Sequence, residues 1–468
     1  MAKILVTYYW PYKLPEGYSP TMCFYDGLRI SFEKNNHDIL EINLANFAND
    51  PKIDKITNNS ILEVVSDYIY TKIGLFKPDL IISFNHCLTK KIYEITSCPI
   101  FIWDADTPLS SWWYNTDLIK SEIDRLFFAY TTKKNYIFFK NLWKIRDDKL
   151  FCTKLATSLD SKELNFDREI CFIGSISKTI SLSIKQYLIK IESNKIEKLE
   201  FIKIIKFALR NGIVNSLTSD FLKNAEIKFE EFFWYISQFK RNGLLELLSE
   251  NFNLGIFGWT NLDQTDKLYI YFDKMPVFSV KNNQEIYNSS KISLNINQPQ
   301  VCNEESKYSW RVCDIMATNS CLVSSYCPSL DWDFGKWVKT PQFSNNFEAY
   351  EVCRKLLSDE SWRKDIVENS KIAIKEGGFT FDDRVKEIEQ IFNLKKNEDS
   401  SRAKYEFLLD LEPKKSREEI PLSIKKFKFS IFKVSKKIIR ILYKINIERI
   451  FKFPLKVYKF LYKKNCKL

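Results

Sequence analysis

The chain has 468 residues, 45% hydrophobic and 15% aromatic, enough for two or three domains with full cores. Its net charge of +12 raises nucleic acid as a partner, but residues 420–468 hold fifteen Lys/Arg against a single acid, Glu448, leaving the preceding 419 residues near −2. A nearly neutral body argues against nucleic-acid binding. Eleven scattered cysteines without a C-x-x-C pair, and only two histidines, argue against a zinc site and for a reducing compartment.

In chain order, residues 2–6 are expected as a buried strand. The opening MAKILVTYYW lacks the separate charged region and apolar core of roughly 7–15 residues that mark a signal peptide. No run approaches ~18 uninterrupted apolar residues, so no membrane-spanning helix is expected. A helix over 21–34, a strand over 38–42 and a helix over 56–75 follow. The apolar runs 79–83 and 99–103 are strands ending at Asn85-His86 and Asp104-Ala105-Asp106, and 126–129 and 150–155 complete the series. Unbroken apolar strands alternating with helices imply a parallel sheet covered on both faces.

A second series starts at 169–173, ending in Gly174-Ser175. Residues 177–250 have a mostly helical pattern and form an insertion or lid. Strands at 254–257 (ending in Gly258-Trp259), 277–280, 292–296 and 321–323 resume the sheet, two helices at 347–357 and 361–375 follow, and residues 384–392 close the domain. The expected fold class is therefore α/β. Its parts are a Rossmann-like domain over 1–165, a second over 166–395 with a helical insertion at about 177–250, a charged linker over 396–419 and a tail over 420–468. Ligands of such paired domains bind in the cleft that the strand ends face.

In the tail, Ile424, Phe427, Ile431, Val434, Ile438, Ile441 and Ile445 recur at i+3/i+4, with Lys and Arg on the other face. This is the pattern of a basic amphipathic helix lying in an anionic membrane interface. A helix packed on its own body and an RNA-binding arm are the alternatives.

Residues 291–325 organise the rest: strand, polar loop, short helix, strand. Ser309 is expected to cap a helix over 310–317, on which Val312, Ile315 and Met316 share an apolar face. Arg311 and Asp314 are neighbours at i, i+3 on another face. A polar loop feeding a helix N-terminus beside a strand end suits the diphosphate of a sugar nucleotide. Arg311 would add a permanent, bidentate charge, with Lys307 and Ser309 in reserve. Asn295 and Tyr308 belong to the same candidate set. Gly174, Ser175 and Gly258 join it because Gly at a strand end lets the backbone approach a phosphate. The plainer alternatives are an i, i+3 ion pair and ordinary strand-ending turns.

With these motifs in view, residues 80–392 resemble the spore-maturation (CgeB-like) branch of bacterial glycosyltransferases with the GT-B fold. The resemblance is carried by Asn288–Ile296 (NSSKISLNI), by Tyr308-Ser309-Trp310-Arg311 leading into Val312–Ala317, by Cys171–Ser175 (CFIGS), and by Phe379–Arg384 (FTFDDR). It implies a GT-B enzyme, of the glycosyl transferases group 1 type, with two Rossmann-like domains facing a cleft. The implied reaction moves a sugar from a nucleotide-sugar donor to a glycan or lipid-linked glycan in surface polysaccharide synthesis. The nucleotide sugar is a co-substrate, and no cofactor or metal is implied. Asp314 would accept from the ribose hydroxyls. It stands where the relatives carry Glu, one methylene longer.

Three residues of the first domain are candidates for chemistry. His86, at a strand end, could hydrogen-bond a donor sugar, act as a base or be structural. Asp104 or Asp106 could orient or deprotonate the acceptor hydroxyl. Asp104-Ala105-Asp106 also matches the D-x-D signature of metal-dependent GT-A enzymes, and loop carboxylates capping the next segment are a third reading. The whole reading places the protein in the cytoplasm, peripheral on the inner face of the cell membrane.

Overall fold

In the computed structural model the apolar runs of the sequence become strands because each is buried on both faces. The structure describes residues 2–8, 23–44, 67–104, 116–178, 180–211, 216–273, 275, 277, 279–297, 308–394 and 403–409. Two compact units divide the chain, Met1–Glu412 and Pro413–Leu468. The second lies wholly outside the described residues, and with it the tail helix expected from the sequence.

The first sheet holds β1 (Lys3–Tyr8), β2 (Asp38–Asn43), β3 (Leu80–Phe84), β4 (Ile100–Trp103), β5 (Leu126–Tyr130) and β6 (Leu150–Cys152). Between them run α1 (Cys23–Lys34), α2 (Asp67–Phe76), α3 (Lys90–Ile95), α4 (Thr116–Ser121) and α5 (Lys133–Trp143). Alternate residues feed opposite faces. Leu5, Ile81, Ile100 and Ile102 pack with Ile69, Ile73, Phe139 and Trp143 on one side. Ile4, Val6, Ile82, Phe84 and Trp103 pack with Leu28 and Phe32 on the other. Each such side chain contributes roughly 1.5–3 kcal/mol by leaving water.

The second domain adds β7 (Arg168–Ile173), then the insertion helices α6 (Leu182–Lys190), α7 (Lys195–Asn211), α8 (Ser216–Asn224) and α9 (Phe229–Ser249). It continues with β8 (Leu254–Phe257), α10 (Val280–Asn288), β9 (Ser290–Asn295), α11 (Arg311–Met316), β10 (Cys321–Ser325), α12 (Pro328–Phe334), β11 (Gln342–Phe343), α13 (Asn346–Ser358) and α14 (Glu360–Glu376). Its sheet is ordered β11-β10-β9-β7-β8, every pair parallel. Ser279 and Val280, expected to end a strand over 277–280, instead cap and begin a helix. The Ser279 side chain accepts from the Asn282 N–H and starts α10 there.

Two elements return from the far end of the chain to the first domain. The helix α15 (Phe381–Phe392), expected to close the second domain, instead buries Phe381, Val385 and Ile388 in the first domain's core. Thr380 and Asp383 form a capping box that fixes its start. The strand β12 (Tyr405–Leu409) lies inside the stretch expected as a linker and pairs with β2 in parallel. The first sheet therefore runs β12-β2-β1-β3-β4-β5-β6. A Rossmann sheet has its third strand outside the second, and here that position goes to a strand more than 300 residues downstream. Polar side chains hold it: the Tyr405 hydroxyl donates to Glu41 Oε2 at 2.9 Å, and Arg29 stacks 4.4 Å from the Tyr405 ring centroid. The result is the α/β architecture of two Rossmann-like parallel sheets, with an inserted helical segment, that the alternation predicts.

Candidate functional site

The strand ends of the second domain converge on Arg311, the first residue of α11. Its Nη1 donates to Asn295 Oδ1 at 3.2 Å, and its guanidinium lies 5.5 Å from the centroid of the Phe172 ring on β7. Among the described residues it forms no ion pair. Asn295 is fully buried at the end of β9 and already saturated. Its carbonyl oxygen also accepts from Ser309 Oγ at 2.8 Å, while its amide donates to Asn297 Oδ1 (2.8 Å) and Ser324 Oγ (2.9 Å). Asn295 therefore sets the position of Arg311 and has no capacity left for a ligand. Next to it, the buried Asn297 Nδ2 has no partner among the described residues.

Ser309 does not cap α11 as expected. Trp310 occupies the capping position in helical conformation and its side chain does not cap the helix, while the Ser309 hydroxyl is drawn to Asn295. Tyr308 is buried, its hydroxyl donates to Asp333 Oδ2 at 2.7 Å, and burial holds its pKa well above the ordinary value. That bond makes Tyr308 an anchor for the segment entering α11. Lys307 lies outside the described residues.

Gly174 and Gly258 end β7 and β8 side by side, with the Gly174 N–H donating to the Phe257 carbonyl at 2.8 Å. A Cβ on Gly174 would come within 2.6 Å of the Phe172 ring and 3.3 Å of Arg311 Nη2. Gly258 has φ +120°, and a Cβ there would meet the Gly174 carbonyl oxygen at 2.7 Å. Its glycine is required by the fold itself. Ser175 contributes its carbonyl, which accepts from Arg241 Nη1 at 3.1 Å.

Arg241, on α9 of the insertion, is a candidate site residue that sequence reasoning missed. It is 6% exposed, its guanidinium lies 6.0 Å from the Phe172 centroid, and its Nε has no partner among the described residues. Burial, and then the like charge of Arg311, push its pKa down to about 9. Two guanidinium groups thus flank one aromatic ring, and neither meets a carboxylate among the described residues. A buried cation with no counter-ion is unfavourable unless an anion occupies the site. The signal was available: Arg241 falls on the buried stripe of α9 with Ser237, Leu244, Leu245 and Leu248.

Asp314 is 6% exposed, and its Oδ1 accepts from the Thr157 hydroxyl at 2.6 Å. The carboxylate implied for a ribose is thus engaged where the chain crosses between the sheets.

In the first domain the strand ends carry paired groups. Asn85 and His86 take up left-handed conformations after β3 (φ 54° and 57°), two successive non-glycine residues in a region that stores strain. The His86 ring is buried, with Nε2 2.8 Å from the Tyr93 hydroxyl. Burial keeps that hydroxyl protonated. Asp104 is buried after β4 and accepts from Asn135 Nδ2 at the start of α5. Asp106 lies outside the described residues.

No family model and no curated protein sequence matches the chain. Solved structures align over most of its length at low identity. A glycosyltransferase from Rickettsia africae ESF-5 is 10% identical, with 84% of this chain and 98% of that one covered and a TM-score of 0.40. Sucrose-phosphate synthase from Thermosynechococcus elongatus is 7% identical, with coverage of 84% and 98% and a TM-score of 0.47. HepE of Anabaena, solved in complex with UDP-glucose, is 10% identical, with coverage of 84% and 99% and a TM-score of 0.42.

Proposed function

We propose that the protein is a GT-B glycosyltransferase of the CgeB-like type. It moves a sugar from a nucleotide-sugar donor to a glycan or lipid-linked glycan of a bacterial surface polysaccharide. The observation that carries this reading is the pair Arg241 and Arg311, two cations about one ring with no carboxylate paired to either among the described residues. A diphosphate supplies the missing charge, with oxygens that accept from both guanidinium groups. As the glycosidic bond to the diphosphate breaks, negative charge grows on the leaving oxygen. Arginines already fixed by Asn295 and Ser175 stabilise it without rearranging, so no divalent metal is needed. The first domain receives the acceptor, and Asp104 or Asp106 orients or deprotonates its hydroxyl, with His86 beside them. The tail holds the enzyme against the anionic inner face of the cell membrane.

A thermal-shift screen of UDP-, GDP-, CDP- and dTDP-linked sugars tests the donor site. At least one raises the Tm of the wild type, and Arg311→Ala abolishes both the shift and sugar transfer. Absence of stabilisation by every donor, or unchanged turnover in Arg311→Ala, contradicts the proposal. Transfer that survives EDTA separates it from the metal-dependent D-x-D alternative.

A further inference from the structure

The chain passes between the two sheets twice, outward through Thr153–Asp160 and back through Gly377–Phe381, and Thr157 ties the crossings together. Its N–H donates to the Phe379 carbonyl at 3.0 Å, and its carbonyl accepts from the Phe381 N–H at 3.1 Å. These bonds make a parallel bridge between Thr157 and Thr380. The Thr157 side chain points its hydroxyl at a third element, donating to Asp314 on α11 at 2.6 Å.

The helix α11 is six residues long, and Arg311 lies between its two contacts with the crossings. On one side Trp310 stacks on Phe381, centroids 5.8 Å apart and planes 12° apart, and meets Trp103 at the end of β4 at 5.6 Å. On the other side is the Asp314–Thr157 bond. Trp310, Arg311 and Asp314 lie within about one helical turn of the same backbone. Whatever draws the Arg311 guanidinium therefore pulls on the ring stack and on the hydroxyl–carboxylate bond together.

We infer that Thr157 and Asp314 are positioning residues that couple occupancy of the donor site at Arg311 to the hinge between the domains. This inference rests on the reading of Arg311 as the donor's phosphate ligand. It also gives a reason for Asp at position 314. The shorter carboxylate meets the Thr157 hydroxyl at 2.6 Å, whereas Glu would carry its oxygens one methylene further into a site already filled. Coupling of this kind requires a contact that can be made or broken between the two arrangements, and the single buried Thr157–Asp314 hydrogen bond at the crossings is the contact we assign to it.

Thr157→Val in the full-length protein removes the hydroxyl at nearly constant volume, and Thr157→Ser restores it. Without ligand, hydrogen exchange in α11 and in residues 377–384 accelerates together in Thr157→Val and returns in Thr157→Ser. With UDP-glucose as probe, the wild type gains at least about fivefold protection at 377–384, and Thr157→Val binds within about threefold of wild-type affinity but loses that gain. Its kcat falls while KM stays near wild type. Unchanged exchange of α11 in unliganded Thr157→Val overturns the coupling by itself, whatever the donor site proves to be. Ligand-induced protection retained in Thr157→Val overturns it as well. A wild type that binds UDP-glucose with no gain in protection at 377–384 does the same. A wild type that binds no nucleotide sugar overturns the donor reading, and the ligand-driven coupling with it.

Discussion

The strand ends of the two domains are built from similar residues and treat charge in opposite ways. In the first domain the described ionisable groups near the strand ends have side-chain partners: Asp104 has Asn135, His86 Nε2 has Tyr93, and Glu41 accepts from Tyr8 at 2.7 Å and from Tyr405, while the neutral Thr7, Ser83 and Trp103 side chains have no hydrogen-bond partner among the described residues. In the second domain, among the described residues, Arg241 and Arg311 are held by neutral groups alone, and Arg241 Nε and Asn297 Nδ2 have no partner. Paired charge explains itself as structure, whereas unpaired buried charge needs a ligand to explain it. The difference marks the second-domain strand ends as the candidate site for an anion, whereas the first-domain groups proposed for the acceptor already carry structural hydrogen bonds.

The sharpest way to break this comparison is Arg241→Met. If Arg241 serves a ligand, its removal weakens donor binding by roughly 2–5 kcal/mol, and the apo protein becomes more stable by about 1–4 kcal/mol because an uncompensated buried cation is gone. Titration calorimetry and a melting curve on the same variant read both. A scaffold arginine would give a lower Tm and unchanged binding.

On the first-domain side, the two acids should separate by phenotype. Asp104→Ala removes the acceptor of the Asn135 amide and lowers stability by about 1–3 kcal/mol, seen as a lower denaturation midpoint. Asp106→Ala leaves that midpoint unchanged and lowers turnover by roughly 10²-fold or more if it is the base. A full-activity Asp106→Ala enzyme moves the base elsewhere. Gly258→Ala tests the scaffold of the second domain: strain at φ +120° and the approach to the Gly174 carbonyl cost roughly 1–3 kcal/mol of stability.

The smallest effect concerns Asp26 on α1. Burial, and then the nearby Glu41 charge, raise its pKa to about 6, only partly offset by Arg29. A carboxyl whose folded pKa exceeds its unfolded value binds its proton more tightly when folded. Its contribution is therefore full below about pH 4 and is lost as pH rises through about 6. Asp26→Asn should flatten the stability profile between those values and raise stability at pH 7. An unaltered profile would show that Arg29 compensates the charge fully.

Much of the framework was legible in the sequence because parallel strands buried on both faces are apolar runs, as in Leu80–Phe84 and Ile100–Trp103. What was illegible depends on contacts distant in sequence. Tyr405–Leu409 looks like part of a charged linker until β2 and Glu41 are beside it. Phe381, Val385 and Ile388 follow the second domain in sequence and pack into the first. At the site, Arg311 was found from its position after a polar loop. The competition of Asn295 for the Ser309 hydroxyl, and of Thr157 for Asp314, could not be read from local spacing.

The most direct test of the central claim is calorimetric titration of the wild type and of Arg241→Met with the nucleotide sugar that most stabilises the wild type. The account predicts measurable binding by the wild type and at least about a 30-fold weaker constant in the variant, alongside a higher apo melting temperature. Equal binding constants in the two proteins would contradict it.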